Sequence, residues 1–77
     1  LAKMTIEKRV GATLAKIRED QGLTQKEVAA ATKLCQRTIS FIERGDRPTL
    51  VKNVVIVAEA MGYQVLFVPT RKGNKLS

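Results

Sequence analysis

The sequence predicts an all-α domain of four helices followed by one short β-strand, and three observations carry that prediction. Apolar residues recur at helical spacing in four successive stretches. Each of the first, third and fourth stretches runs into a glycine suited to ending a helix, at Gly22, Gly45 and Gly62. Only one segment, YQVLFV at residues 63–68, is short, apolar and β-favouring, and Pro69 closes it. The chain has 77 residues, which makes a single small domain with a modest core, near the length where a partner subunit adds needed burial. The expected layout is one domain over 1–77, with a core at 5–62, a dimerising strand at 63–69 and a basic tail at 70–77.

Leu1 to Met4 is expected to be loose. Thr5 can cap a first helix, and Glu7 falls in its first turn, where the helix dipole favours negative charge. Ile6, Val10, Leu14 and Ile17 repeat on one face and read as a core stripe, with Lys8, Arg9, Lys16 and Arg18 pointing elsewhere. Gly22 followed by Leu23 fits a stop in which the apolar residue folds back on the last turn.

The second and third helices are the informative pair. Thr24 and Glu27 have capping-box spacing, so a helix begins at Gln25. Its inward positions are Val28, Ala29 and Thr32, and Ala29 is small enough for another helix to cross close by. A turn follows at Lys33, Leu34 and Cys35. The third helix runs from about Gln36 to Arg44 and ends at Gly45. At about 100° per residue, Thr38, Ile39 and Ile42 share one side. Arg37, Ser40 and Arg44 lie opposite, with Gln36 beside them and Phe41 and Glu43 on the two flanks. Such a helix has the chemistry for reading base edges, because arginine pairs bidentately with guanine and glutamine with adenine.

Beyond Gly45 lies a loop with Arg47 exposed and Pro48 preventing continuation. Thr49 reads as the cap of a fourth helix. Val51, Val54, Val55, Ala58 and Met61 form its core stripe, with Leu50 and Val57 at the margin. The β-branched run 54–57 is locally strand-like, but the length, the cap and Gly62 favour helix. For Tyr63 to Val68 two arrangements are open. The strand pairs with its copy across a two-fold dimer through Tyr63, Val65, Leu66, Phe67 and Val68, because no other strand is available in the chain. Alternatively, the segment is an extended tail covering the helical core. Residues 70–77, with Arg71, Lys72 and Lys75, read as a solvated basic tail.

Lysine and arginine number 14 against 7 aspartate and glutamate, for a net charge of +7. That balance favours a polyanion as partner and makes its binding salt-sensitive. Charge alone does not choose among DNA, RNA and an acidic membrane surface. With two Phe and one Tyr, stacking on single-stranded bases is disfavoured. There is no histidine and Cys35 is the only cysteine, so neither a zinc site nor an internal disulfide can be assembled. No metal or cofactor is expected. No apolar run reaches the eighteen or so residues that cross a bilayer, and a cytoplasmic protein without membrane contact is expected. With no metal cluster, phosphate loop or room for a pocket, an enzyme is not expected.

The pattern TQ-x-E-V-A, a turn, and R-T-I-S-x-I-E-R-G resembles the helix-turn-helix of the Cro and phage-repressor family, over roughly Val10 to Met61. The resemblance implies a repressor-like DNA-binding domain whose third helix enters the major groove. It further implies that Gln25 binds a phosphate, that Gln36, Arg37 and Phe41 stand where bases are touched, and that Ser40 and Arg44 make base or backbone contacts. Arg47 and Lys52 fall in and after a loop that runs beside the DNA backbone. For Phe41, contact with a thymine methyl and half-buried packing are both open. Arg18 and Glu43 match a structural salt bridge between the first and third helices. Two positions depart from the pattern. Lys33 stands where the turn is usually glycine, at a cost of roughly 1 kcal/mol if the turn keeps positive φ. Cys35 replaces the usual Ser or Thr cap, which weakens it.

The tail G-Y-Q-V-L-F-V-P resembles that of HipB-type antitoxins. That resemblance implies dimerisation through the strand, binding to a palindromic operator with autoregulation, and a HipA-like kinase toxin as partner. A phage-type or general repressor without a toxin is the alternative.

Overall fold

The computed structural model describes residues 4–70 and 73. Four helices follow one another: α1 (Ile6–Asp20), α2 (Gln25–Thr32), α3 (Gln36–Arg44) and α4 (Val51–Ala60). Each boundary has a local cause. Thr5 accepts a hydrogen bond from the Lys8 N–H to open α1. The α1 stop is a Schellman-type turn, in which Gly22 takes φ +70° and the Leu23 N–H returns 3.1 Å to the Arg18 carbonyl. The same device ends α4, where the Tyr63 N–H donates to the Ala58 carbonyl at 2.9 Å.

The core lies where the helices converge and consists of Leu14, Val28, Ala29, Ile39, Ile42, Val57, Ala58 and Met61. Val10, Ile17, Leu23, Leu34 and Val54 pack against it from the edge. Ile39 is completely buried; removing such a side chain from water contributes about 1.5–3 kcal/mol. Among the described residues no buried side-chain nitrogen or oxygen lacks a hydrogen-bond partner.

Three expectations need correction. Leu50 occupies the cap position of α4 without a side-chain hydrogen bond, so Thr49 is not its cap. Ile6 and Val51, expected in core stripes, are 67% and 76% exposed. Both sit in the first turn of their helices, where the helix has not yet reached the packed centre. Val57, placed at the margin from the sequence, is instead fully buried.

Residues 63–70 carry neither helix nor strand pairing. Phe67 is fully exposed, and Leu66 and Val68 are about as exposed as Ile6, so these three do not cover the core of their own chain. Tyr63 and Val65 line a groove of about 390 Å³ together with Ile6 and Val10 of α1 and Val54 of α4. Of the expected loose N-terminus and basic tail, residues 1–3, 71–72 and 74–77 lie outside the described residues.

Candidate nucleic-acid interface

The third helix is set against the first by an absent side chain. Gly11 is buried at mid-α1, and a Cβ there would lie 2.6 Å from the Glu43 carbonyl oxygen and closer still to that of Ile42. Backbone therefore meets backbone where α1 crosses α3. Gly45 has a related function at the far end of α3. It adopts φ +62° as the C-cap, and a Cβ there would lie 2.5 Å from the Glu7 carbonyl oxygen.

A polar clasp adds to this contact. Arg18 Nε donates to Glu43 Oε2 at 2.7 Å, and its terminal nitrogens donate to Glu43 Oε1 at 3.1 Å and to the Leu23 carbonyl at 2.7 Å. The Glu43 hydrogen bond, ahead of the opposing effect of burial, raises the already high pKa of Arg18. Gln25 joins the clasp from α2, its Nε2 donating to Glu43 Oε1 at 3.0 Å. The expected Arg18–Glu43 bridge is thus present, with Gln25 as a third member that the sequence did not disclose.

The start of α2 leaves donors free. Thr24 and Glu27 complete a reciprocal capping box, with the Glu27 N–H on the Thr24 hydroxyl at 3.0 Å and the Thr24 N–H on the Glu27 carboxylate at 2.8 Å. The first intrahelical bond runs from the Val28 N–H to the Thr24 carbonyl. A helix start has orphan N–H groups, and here those of Gln25 and Lys26 are the ones left over.

The turn between α2 and α3 keeps its usual shape despite lacking glycine. Lys33 takes φ 62°, ψ 17°, the left-handed region. Cys35 then occupies the N-cap of α3 and makes no cap hydrogen bond. Its Sγ lies 3.0 Å from the Thr38 hydroxyl. That hydroxyl first, then the backbone N–H groups of Thr38 and Arg37, hold the exposed thiol's pKa below its ordinary value.

Along α3, Ile39 and Ile42 are buried, whereas Gln36, Arg37 and Arg44 are exposed and Ser40 and Phe41 half-buried. Arg44 and Arg47 converge on Phe41, their guanidinium carbons 5.0 and 4.1 Å from the ring centre. Arg44 also pairs with Asp46 at 3.3 Å. Lys52, exposed in the first turn of α4, makes none of the described hydrogen bonds or ion pairs. Asp46 carried no sequence signal, because a carboxylate two residues beyond a helix end is ordinary. Gly11 did carry one: a glycine within an amphipathic helix marks close approach of another backbone.

No described helix is long and apolar enough to cross a membrane. Among the described residues no group of three or more His, Cys, Asp or Glu could hold a metal ion.

Comparison with known proteins agrees with this geometry. The family model HTH_3, helix-turn-helix, matches residues 14–68. An uncharacterised HTH-type transcriptional regulator, y4dJ of Sinorhizobium fredii, is 39% identical over 59 residues, covering 77% of each chain. The restriction-modification controller protein C.Esp1396I, solved as a tetramer with its natural 35-base-pair operator, is 26% identical. Its fold superposes with a TM-score of 0.72 over 80% of this chain and 82% of that one. A chain of the HipA–HipB–O2–O3 complex superposes with a TM-score of 0.79 over 92% of this chain and all of its own. At 20% identity that match establishes shared fold alone. A capped α2, a tight turn at Lys33 and a half-buried α3, with a family match over most of the chain, make this protein a member of the helix-turn-helix family of Cro and phage-repressor type, a DNA-binding transcriptional regulator.

Proposed function

We propose that the protein is a sequence-specific repressor of duplex DNA that acts as a homodimer on a palindromic operator. The observation that carries this reading is the two-sidedness of α3: Ile39 and Ile42 are sealed in the core while Gln36 and Arg37 remain exposed for a major groove. Gln36, Arg37 and Ser40 read base edges, with Arg37 pairing a guanine. Arg44, Arg47 and Lys52 meet the phosphate backbone. Gln25 approaches a phosphate through its backbone N–H, that of Lys26 and the second N–H of its side-chain amide, the first being donated to Glu43.

The dimer buries the apolar surface that one chain leaves open. Strands 63–69 pair across the two-fold axis, placing Leu66, Phe67 and Val68 against the partner. Ile6, well exposed, lines one groove with Tyr63 and Val65 and an adjoining one with the exposed Val51, and this pair extends the contact onto α1 and α4. The half-sites then lie about 34–36 Å apart, one helical turn. Residues 1–77 act as one domain, with 70–77 as a basic tail, and work in the cytoplasm without an enzymatic step.

Selection of bound duplexes from a random pool tests this reading. Enrichment of an inverted repeat at moderate salt is expected; retention of unselected sequence would count decisively against it.

A narrower reading makes the protein the autoregulating antitoxin of a HipBA-type pair, with a HipA-like kinase toxin as second partner. The match along the full length of a HipA–HipB complex chain, through the C-terminal segment, favours it over an unpartnered phage-type or general repressor, though at the level of fold. A kinase-like reading frame beside this one, and co-purification of its product, would support the antitoxin; a neighbourhood without one would favour the general repressor.

A further inference from the structure

We infer that Phe41 is a positioning residue: its ring holds the guanidinium groups of Arg44 and Arg47, each stacked against it, as one clamp for the phosphate backbone, and does not itself read a base. The inference rests on the duplex-binding reading above and adds to it how the C-terminal end of α3 grips the strand.

Three observations converge. Both guanidinium carbons lie within cation–π range of one ring, Arg47 at 4.1 Å and Arg44 at 5.0 Å. Arg44 sits one turn beyond Phe41 on the same helix face, whereas Arg47 reaches it only because Gly45 turns the chain in the left-handed conformation at φ +62°. Two like charges gathered on one ring repel, and among the described residues only one carboxylate, Asp46, pairs with either of them, at 3.3 Å from Arg44. The cluster of Arg44, Arg47 and Asp46 is left with one net positive charge and planar donor forks suited to a phosphate.

A half-buried ring with two arginines laid against it offers little surface to a thymine methyl. What it offers instead is order. An arginine free in solvent samples many rotamers and must lose them on binding; one already stacked has lost part of that freedom. The gain is independent of sequence, because every phosphate is alike.

The test titrates the full chain as wild type, Phe41→Leu, Phe41→Trp and Arg47→Lys against the selected operator and an unrelated duplex of equal length, over a salt series. Phe41→Leu is expected to weaken both duplexes by the same factor, about fivefold, with base preference unchanged at every operator position. Phe41→Trp restores binding. Arg47→Lys keeps the charge and loses the plane, so binding weakens on both duplexes while the salt slope stays. In the free protein, the Arg47 δ-proton resonances are shifted upfield by the ring, and the shift disappears in Phe41→Leu.

Loss of preference at a single A·T pair in Phe41→Leu, with the unrelated duplex unaffected, would make Phe41 a base contact and overturn the clamp. Wild-type affinity in both Phe41→Leu and Arg47→Lys would overturn it equally. Should Phe41→Leu fail to fold, Arg47→Lys, on an exposed loop, decides alone. A wild-type protein that prefers no duplex would instead remove the parent reading, an outcome distinct from either.

Discussion

Arg18 grips Glu43 at 2.7 Å across 25 residues of sequence, fastening the end of α1 to α3. Their side chains are 13% and 6% exposed, so the pair is shielded from the screening that makes surface ion pairs weak. Removing one partner leaves a part-buried charge without its main counter-ion. Glu43→Ala is expected to destabilise by about 1–3 kcal/mol, and replacing both partners with apolar residues, Arg18→Met with Glu43→Leu, to be milder than the single change. Urea denaturation of Glu43→Ala, of the single changes Arg18→Met and Glu43→Leu and of the double change measures this, and a double loss equal to the sum of its two single losses would mean that the residues do not act as a pair.

Gly11→Ala sets two effects against each other. Alanine favours a helix interior by about 1 kcal/mol over glycine, but its Cβ would overlap the carbonyls of Ile42 and Glu43, and overpacking costs about 1–3 kcal/mol. Because backbone atoms cannot move aside as a side chain can, the clash wins and the melting temperature falls. A rise would show that α1 and α3 can separate freely.

Lys33→Gly should act in the opposite direction. Lysine at φ 62° pays for a conformation that glycine adopts without strain, so the change is expected to stabilise by about 0.5–1 kcal/mol after glycine's larger unfolded-state freedom is subtracted. Thermal unfolding reads it as a shift of several degrees. No gain would place the turn's cost elsewhere.

The Cys35 thiol gives a pH-dependent prediction. The Thr38 hydroxyl, first among the causes, favours the thiolate and lowers the pKa. Thr38→Val therefore moves the midpoint of the pH–alkylation curve upward, and below that midpoint the thiol reacts more slowly. An unchanged midpoint would assign the effect to the backbone N–H groups instead.

Much of this fold was legible from caps and periodicity. Thr5, the Thr24–Glu27 box, Gly22 and Gly45 in its capping role each act through atoms within five residues, so those signals are local, whereas the approach of Gly45 to Glu7 is not. The α3 pattern placed Ile39 and Ile42 inside and Arg37 and Arg44 outside, as found, because a helix in the middle of a chain is packed by neighbours on a predictable face, whereas Thr38 and Ser40, expected on opposite sides, are both half-buried. Where the reading went wrong, first turns were involved. Ile6 and Val51 continue a core stripe in sequence, but the stripe extends past the edge of what the other helices cover. Val57 shows the converse, since burial at a stripe's margin depends on where α1 and α2 sit. The Gln25–Glu43 bond and the Phe41–Arg47 contact join residues whose approach depends on helix crossing and loop direction, which periodicity does not encode.

The most direct test of the account is the affinity of Arg37→Ala for the selected operator and for its single-base-pair variants. Loss of about 1–3 kcal/mol on the operator, with preference relaxed at one base pair in each half-site, is the result expected of a side chain that reads a guanine. Undiminished affinity and an unaltered preference at every position would contradict the assignment of α3 as the helix that reads DNA.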